Sequence, residues 1–468
     1  MVAQNSKKQK VFSKKSESGE VQAINVISNK QGGGSVNLAG ALGELRYFEN
    51  IRDKGIRASV AYTDSGNTEI KGGGGGGGQL TSRGRKNESS GNNRSILDEL
   101  PIVGEEKTMF KMVDNNDQEL TFTMFIKDVK PIAETTQKNG VFLTFQSKEM
   151  FLNDNGETRV RGKHTGKISD IIKKIITGDT HLQSEKDVSE WTDTMNDYVV
   201  WGNNRKPFAF IDLLQKKAIP KEATPGTSAG FFLWETSEGF QFKSIENLVQ
   251  QEPVKRYIFN ESQDKRGKDV PSQYDGKVLE LTGPSNIDVQ KKKDIGGYAG
   301  RLITFDPFDC KYEVIEQPRD ETTGKLSEYA GDELPKFNDE LKTNYTRTSY
   351  FCVDRGVAYA EVEKSKEINF RPERAVSQAT MRYNQLFTIQ KTITIPGDFS
   401  LHAGDAIFLD IPEVSDKDVQ VPNKEVGGIY IISELCHYMT PKHCLTKLHL
   451  VRDSYGRRKA PKSTPKPV

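Results

Sequence analysis

The chain has 468 residues, enough for about three domains at ~150 residues each. Its 67 basic and 65 acidic residues leave a net charge of +2, which argues against a molecule that binds nucleic acid or lipid headgroups over its whole surface. The four cysteines are too scattered for a disulfide framework, and the sequence contains neither a signal-peptide core nor a run of about 18 apolar residues, so we expect a protein without a membrane anchor, made in a reducing cytoplasm.

The N-terminal third begins with a polar segment and continues as strands. Residues 1–37 are rich in Lys, Ser, Gln and Gly and carry few large apolar side chains, which predicts a mobile arm. Residues 38–152 form a block of strands, the clearest marked by Leu120, Phe122 and Met124, which alternate with threonines. The expected strands cover residues 44–50, 57–62, 108–113, 120–129 and 141–146.

A polar insertion at 63–95 interrupts this block and contains a glycine run at 72–78. Glycine-rich loops can cradle phosphate, but no Gly-Lys-Ser/Thr follows this run and no strand leads into it. The other candidate, at 162–168, has the wrong spacing. We therefore predict a disordered surface insertion and no nucleotide site.

Residues 153–290 are expected to form an α+β middle domain. Its clearest element is a helix over 166–177, where isoleucines recur at i, i+3, i+4, i+7 and i+8 from Ile168. Thr165 is the candidate N-cap and Gly178 the residue just beyond the end. The other expected elements are a helix from Pro207, a hairpin over 231–242, a short helix capped by Ser244, a strand over 254–259 and a polar linker to residue 290.

The last third returns to strands. Residues 291–384 are expected to form a connecting α+β region, residues 385–455 a closing block of strands, and residues 456–468 a disordered tail. Gly-Asp turns between apolar runs mark the closing block. The expected elements are strands over 300–306, 312–316, 388–395, 406–410, 428–435 and 445–451, and a helix over 374–387.

A cluster of Cys and His near the C-terminus suggests zinc, but its spacing argues against a site. Cys436 and His437 are neighbours on an expected strand and point to opposite faces, as do His443 and Cys444. With His449 added, only a twisted hairpin could gather ligands, for instance His437 opposite His443. We predict buried cysteines, histidines at the rim, and neither a metal nor a cofactor.

Pairs of acidic residues could support glycoside hydrolysis. No nucleophile motif or metalloprotease helix accompanies them; Asp405 lies in a Gly-Asp turn, and Glu235 ends a strand at a hairpin. We predict no catalytic residue, and we expect Trp191, Trp201 and Trp234 to be core or interface anchors. The acids considered are Glu235 with Glu238, Glu361 with Glu363, and Asp405 with Asp410.

Over about residues 40–455 the chain resembles the baseplate hub proteins of contractile-tailed phages. The most informative match is the run Phe-x-x-Glu-Thr-x-x-Gly-Phe-x-Phe-x-Ser at 232–244, which precedes a helix. The insertion at 63–95 and the N-terminal arm depart from the shorter members. The other matching phrases, in order, are Leu-Pro-Ile-x-Gly-Glu-Glu at 100–106, the helix at 166–176, and the segments at 395–398, 401–407, 428–432 and 448–453.

This resemblance implies a mainly β fold with α+β insertions, in which two tube-type β-barrel domains, at 38–152 and 385–455, flank a helix-containing middle. It implies a homotrimer whose six barrels form a ring that adapts the sixfold tail tube to the threefold central spike and lines the channel for genomic DNA. The implied partners are the tail tube protein, a separate spike protein and baseplate wedge proteins. The implied location is the tail baseplate of the virion, after assembly in the host cytoplasm.

Two alternatives stay open. One is a hub with its own peptidoglycan hydrolase activity. The other is a hexameric tube-initiating or distal tail ring protein with one barrel in each subunit. Two barrel-like blocks in one chain favour the trimer.

Overall fold

The fold is described from a computed structural model of the chain. Within the described ranges the chain is mainly β, as predicted. The described residues are 19–30, 34–64, 68–70, 79–82, 96, 100, 102–134, 138–188, 190–195, 197–221, 229–259, 276–283, 288–307, 309–317, 329–335, 338–341, 345–353, 378–413 and 423–457.

The N-terminal strands form what we call the first strand block. Inward and outward positions alternate along the strand at 42–50, where Leu45, Tyr47 and Glu49 all point inward and are buried. The block comprises β1 (Glu20–Ile27), β2 (Ser35–Asn37), β3 (Leu42–Asn50), β4 (Arg57–Asp64), β5 (Thr68–Ile70), β6 (Gln79–Ser82), β7 (Lys107–Val113), β8 (Glu119–Glu134) and β9 (Asn139–Gln146), followed by the helix α1 (Lys148–Asp154).

The middle region packs short strand pairs against helices. One helix buries all of its isoleucines in a common core. A hairpin leads into a short helix whose N-cap, Ser244, accepts a hydrogen bond from the backbone N–H of Asn247 at 3.3 Å, as predicted. The elements are β10 (Lys163–Lys167), α2 (Ile168–Thr177), β11 (Asp197–Trp201), α3 (Pro207–Gln215), β12 (Phe231–Thr236), β13 (Gly239–Ser244) and α4 (Ile245–Val249).

The C-terminal half supplies a second strand block and a small separate sheet, which we call the outer sheet. The second strand block comprises β14 (Lys255–Ile258), β15 (Glu280–Thr282), β19 (Ile389–Pro396), β20 (Ala406–Asp410), β21 (Gly428–Met439) and β22 (Cys444–Arg452). The outer sheet comprises β16 (Gly300–Asp306), β17 (Lys311–Gln317) and β18 (Arg347–Cys352), with α5 (Val289–Asp294) before it and α6 (Ala379–Leu386) after it.

The two strand blocks are joined edge to edge in one 15-stranded sheet. β3 pairs antiparallel with β21, which places Phe48 opposite Cys436 and Tyr47 opposite His437. Inward side chains from both blocks share one core. Tyr47 of β3 touches Phe122 of β8, with ring centroids 4.6 Å apart, although β4 and β9 lie between these strands, so the sheet curves around its core. The division of this sheet into two barrel domains stays a prediction.

The outer sheet has one packed face and one exposed face. β16 lies between antiparallel β17 and parallel β18. Leu302 is buried on one face, and Phe351 packs there against the core of the middle region. The other face carries Phe305, Tyr312 and Tyr350, which are 44%, 75% and 76% exposed. This face is the part of the described surface where exposed aromatic side chains are most concentrated.

The predicted mobile arm at 1–37 is wrong for its second half. Residues 20–27 form β1, which pairs with β7, and Ile24 and Val26 are fully buried on its inner side. The pairing partner lies some 80 residues further along the chain, so local composition could not indicate this strand. The remainder of the arm, residues 1–18, lies outside the described residues.

The predicted insertion at 63–95 also contains regular structure. β4 continues to Asp64, whose carboxylate accepts a hydrogen bond from the Ile96 N–H at 2.6 Å, and β5 pairs with β6 inside the insertion. The glycine run at 72–78 lies outside the described residues. The prediction of a wholly irregular insertion is therefore wrong, because the insertion contains a short pair of strands.

The predicted tail at 456–468 begins too early. Arg457 donates a hydrogen bond to Asp410 at 2.6 Å, and Tyr455 bridges to Glu333. The ordered C-terminal block therefore extends to residue 457, and the residues after it lie outside the described part of the chain.

Local predictions in the middle region need correction. Thr165 is not an N-cap, because it lies in β10 opposite Val199; α2 begins at Ile168, with Lys167 in the cap position. Gly178 is the C-cap itself, with φ −75°, and not a left-handed residue beyond the end. The short strands β10, β11, β15 and β18 were not predicted. β10 and β15 are polar, whereas β11 and β18 carry apolar residues that do not alternate regularly with polar ones, so none of the four shows a clear period of two.

Several predicted domain boundaries cut through helices. The boundaries after residues 152, 290 and 384 fall inside α1, α5 and α6, and the predicted polar linker contains β15. By contrast, the strands predicted at 300–306 and 406–410 are confirmed at both ends. Among the helices in the described ranges, none is long and apolar enough to cross a membrane.

Candidate functional site at the hairpin junction

The hairpin of β12 and β13 lies where the middle region meets both strand blocks. Its register places Thr236 opposite Gly239, which leaves Ser237 and Glu238 in a two-residue turn. Gly239 has φ +144°, and a Cβ there would lie 2.3 Å from the carbonyl oxygen of Asp187, so glycine alone suits this position. Every residue of β12 is buried, and its polar groups must therefore find partners inside the protein.

Glu49, at an inward position of β3, gathers hydrogen bonds from three parts of the chain. Its carboxylate accepts from the Tyr47 hydroxyl at 2.8 Å and from the backbone N–H groups of Ser237 and Ala403 at 3.0 and 2.9 Å. The Nδ1 atom of His402 lies 3.2 Å away. Burial alone would raise the pKa of the Glu49 carboxyl, but the His402 charge and these hydrogen bonds hold the pKa below its usual value. Glu49 thus ties β3 to the hairpin turn and to the loop before β20.

His402 is held between two carboxylates. Its Nδ1 faces Glu49, its Nε2 lies 3.6 Å from Glu238, and its backbone N–H donates to Asp405 at 2.9 Å. Burial disfavours the imidazolium, but the charge of Glu49 and the hydrogen bond to Glu238 outweigh it and raise the His402 pKa well above its usual value. The two flanking carboxylates therefore favour the charged imidazolium.

A second ionic cluster lies on the other side of the hairpin. Lys186 contacts the carboxylates of both Glu149 and Glu235, at 2.9 Å from Glu149. Glu149 also accepts from the Ser184 hydroxyl at 2.6 Å, and Glu235 from the backbone N–H of Ile56 at 3.1 Å. Burial raises the pKa of Glu235 to about 7, Lys186 opposes this, and the neighbouring Glu149 adds to it. This cluster joins α1 and the start of β4 to the hairpin.

Trp234 fixes the hairpin to the second strand block. Its side chain is fully buried, and its indole N–H donates to the carbonyl of Ala403 at 2.9 Å. Gly404, with φ +92°, lies against the indole ring so closely that a Cβ would be 2.3 Å from Cζ2. The backbone N–H of Gly404 in turn donates to Ile432 of β21 at 2.8 Å. The loop before β20 is therefore clamped between the indole and the sheet.

The helix after the hairpin is attached through a buried arginine. Arg382 of α6 is completely buried and makes ion pairs of 3.1 Å with Glu246 of α4 and with Asp453. Asp453 also accepts from the backbone N–H of Ala330 at 3.0 Å. Nearby, the Phe231 N–H donates to the hydroxyl of Tyr383 at 2.8 Å. One network thus connects α4, α6 and the end of β22.

These contacts define what the junction can do. The buried Glu49 and Glu235 both accept backbone N–H groups from other segments, and His402 and Lys186 neutralise charge between segments. Groups committed to such contacts hold the segments in register, because a shift would leave buried polar groups without partners. The junction therefore holds the middle region in a fixed position against the two strand blocks.

The Cys and His residues near the C-terminus are dispersed by the β21–β22 hairpin. His437 lies opposite Thr446, not His443, and its Nδ1 is 2.9 Å from the Thr446 hydroxyl. It is 1% exposed, which corrects its predicted place at the rim. Cys444 is buried, as predicted, whereas Cys436 is half-buried on the outer face. Among the described residues, no group of three or more His, Cys, Asp or Glu is placed to hold a metal ion.

The two described acidic pairs considered in the sequence analysis are not paired in the structure, because their members have different environments and partners. Glu235 is buried while Glu238 is half-exposed in the turn. Asp405 caps the His402 loop, and Asp410 pairs with Arg256. Glu361 and Glu363 lie outside the described residues. Of the tryptophans, Trp234 is in the core as predicted, Trp191 is half-buried, and Trp201 is 59% exposed.

Sequence reasoning missed Glu49, Glu149, Lys186 and Arg382. A signal existed only for Glu49, because it follows Leu45 and Tyr47 at every second position of an amphipathic strand and so belongs to the inward face. The ion-pair partners of the other three residues lie 37 or more positions away, and no local pattern points to such pairs.

Comparison with known proteins gives only distant similarities to solved structures. No family model and no curated protein matches the chain. Among solved structures, the chain is similar to a tail protein from Neisseria meningitidis MC58, with a TM-score of 0.49 and 9% identity over 92% of this chain and 96% of that one. A 43 kDa tail protein of prophage MuSo2 from Shewanella oneidensis gives a TM-score of 0.49 and 9% identity over 92% and 98%. An E. coli component of the type VI secretion system, described as similar to tail proteins of bacteriophage T4, gives 0.41 and 9% over 95% and 79%.

Proposed function

We propose that the chain is a structural hub of a phage tail baseplate, a homotrimer in which each protomer supplies two neighbouring barrels to a ring of six. In this role it adapts the sixfold tail tube to the threefold spike and lines the channel for genomic DNA. Its partners are the tail tube protein, a spike protein and wedge proteins, it acts in the virion, and it carries no catalytic residues and no cofactor. The proposal starts from the order of the sequence phrases that resemble phage hub proteins.

The observation that carries the proposal is the pairing of β3 with β21. A protomer that contributes two adjacent barrels to a ring needs its N-terminal and C-terminal strands side by side, although more than 370 residues separate them. Their register, with Tyr47 opposite His437, meets that requirement. The hairpin junction supports the same role, because the hairpin is hydrogen-bonded to the first strand block through Glu49 and to the loop before β20 of the second strand block through Trp234.

The exposed face of the outer sheet supports a protein that works in an assembly. Phe305 lies opposite Tyr312, and Ile303 opposite both Val314 and Tyr350, so these side chains form one patch. Contiguous apolar patches of this kind are uncommon on isolated soluble proteins and mark contact surfaces.

Electron microscopy of the purified chain with two-dimensional classification, together with its mass in solution, tests the proposal. Three chains of 52.5 kDa each give about 158 kDa, and a ring with six lobes at that mass is the expected result. A six-chain ring of about 315 kDa would favour the hexameric tail ring protein instead. Monomers that stay monomeric when a spike protein is added would refute the hub. Clearing of peptidoglycan in zymography would favour the hub with hydrolase activity.

A further inference from the structure

The cluster of Glu149, Lys186 and Glu235 contains one ammonium for two buried carboxyls. The side chains of Glu149 and Glu235 are 2% and 0% exposed, and that of Lys186 is 28% exposed. With both carboxyls ionised the cluster carries a net charge of −1, and one bound proton makes it neutral. A buried uncompensated charge is costly, so the closed junction favours the protonated form.

The described groups that face the cluster do not supply the missing positive charge. Tyr47 of β3 faces Glu235 with a phenol that is neutral, since burial raises its pKa. From the residue just before β4, the Ile56 N–H donates to Glu235. Lys54, which lies two residues before Ile56, forms an ion pair with Asp212 at 3.0 Å and donates to Gln215 at 2.9 Å, so its charge is already compensated by Asp212.

The neighbouring ionic group on the hairpin is balanced differently. His402 there stands between Glu49 and Glu238, and it titrates above its usual range because Glu49 raises its pKa. The two clusters therefore lose their protons in different pH ranges. The cluster of Glu149, Lys186 and Glu235 does so mainly below neutrality, and His402 does so above about pH 6.5. This separation lets an experiment assign an effect to one of them.

We propose that Glu149, Lys186 and Glu235 form a proton-binding latch, which holds the hairpin against the first strand block when one carboxyl is protonated and loosens as that proton leaves. The carboxyls come from different segments, α1 and β12, so opening the hairpin separates them and lets both ionise in water. The open form therefore binds fewer protons than the closed form. By linkage, the opening equilibrium rises with pH in the interval between the carboxyl pKa values of the open and closed forms.

The size of the effect follows from one proton. The opening constant rises at most about tenfold for each pH unit, starting near the usual glutamate pKa of 4.5 and levelling off near 7. Between pH 5 and 7 the local opening of the junction should thus increase by about 10- to 100-fold. The latch acts within a single chain, so it does not depend on the hub role or on trimer formation.

Hydrogen exchange of the full chain, followed by mass spectrometry from pH 5 to 8 and corrected for the intrinsic exchange rate, tests the latch. Peptides covering the Ile56 amide and the hairpin should lose about 10- to 100-fold protection between pH 5 and 7 in the wild type. Glu235→Gln keeps the side-chain volume and the acceptor for the Ile56 N–H but cannot ionise. In this variant the protection of the same peptides should change less than about threefold between pH 5 and 7. Glu149→Gln should reduce the pH dependence of protection in the same way, and it serves as the test variant if Glu235→Gln does not fold.

A matched control comes from the same hairpin. Glu190→Gln removes the carboxylate that pairs with Lys243 of β13 at a half-exposed position and should retain the wild-type pH response. Protection in the wild type that does not change from pH 5 to 7 would overturn the latch. So would a full pH response in both Glu235→Gln and Glu149→Gln.

Discussion

Replacing Gly404 by Ala tests whether the loop before β20 is clamped against the indole of Trp234. An added Cβ would lie 2.3 Å from Cζ2 and 3.0 Å from Cε2 of that ring. The ring cannot retreat easily, because it is fully buried and its N–H is bonded to Ala403. A left-handed residue other than glycine costs about 1–2 kcal/mol, and overpacking adds about 1–3 kcal/mol. We expect Gly404→Ala to lower the free energy of unfolding by about 2–5 kcal/mol.

Gly162→Ala is the matched control. Gly162 also has positive φ, +75°, but a Cβ added there would have no other atom within 4 Å, so this variant reports the backbone cost alone, about 1–2 kcal/mol. Urea unfolding followed by circular dichroism measures both variants at matched m-values. In the double variant Trp234→Phe/Gly404→Ala, the smaller ring should recover about 1–3 kcal/mol relative to the sum of the single changes. Equal destabilisation by Gly404→Ala and Gly162→Ala, or strict additivity in the double variant, would refute the clamp.

Three further outcomes are expected. Arg382→Met should lower the free energy of unfolding by about 3–5 kcal/mol in urea, because it leaves Glu246 and Asp453 buried without their cation; a loss below about 1 kcal/mol would contradict the ion-pair network. The folded pKa of His402 lies above its unfolded value, so its contribution is complete below about pH 6.5 and lost as pH rises. The melting temperature should therefore fall more steeply from pH 6.5 to 9 in the wild type than in His402→Gln, and parallel profiles would count against this contribution of His402. Ser244→Ala should cost about 1 kcal/mol through loss of the N-cap of α4, and an unchanged urea midpoint would show that the cap is dispensable.

The strands that sequence could predict are those whose side-chain period decides their burial. The segment at 300–306 is confirmed at both ends, and in β8 the alternation of Leu120, Phe122 and Met124 with threonines matches buried and exposed positions. The end of β8 was missed. The strand continues through Pro131 to residue 134, past register shifts on either side of that proline. Bulges tolerate proline in a strand, but sequence gives no sign of where they occur.

The contacts at the junction were harder to predict, for a physical reason. Glu235 stands in the polar run Glu-Thr-Ser-Glu, which indicates the end of a strand at the turn of a hairpin. In the structure β12 continues through Glu235 to Thr236, and the Glu235 carboxyl is buried because Lys186 and the Ile56 N–H supply its partners. A polar residue enters a core only when distant residues satisfy it, and the identity of those residues is a property of the fold. The apolar anchor Trp234, by contrast, needed no such information.

The use of ionic and polar groups at this junction suggests why it is built this way. An apolar hairpin could bind the strand blocks with equal strength, since buried ion pairs add little net stability, but it could slide by a residue at small cost. The backbone N–H groups of Ile56, Ser237 and Ala403 each meet one carboxylate oxygen, and a shift would leave buried groups unsatisfied. These bonds fix the position of the hairpin against both blocks at once. For a protomer proposed to place two barrels in a closed ring, the angle between the blocks decides whether the ring closes, so a junction selected for register serves it better than one selected for strength.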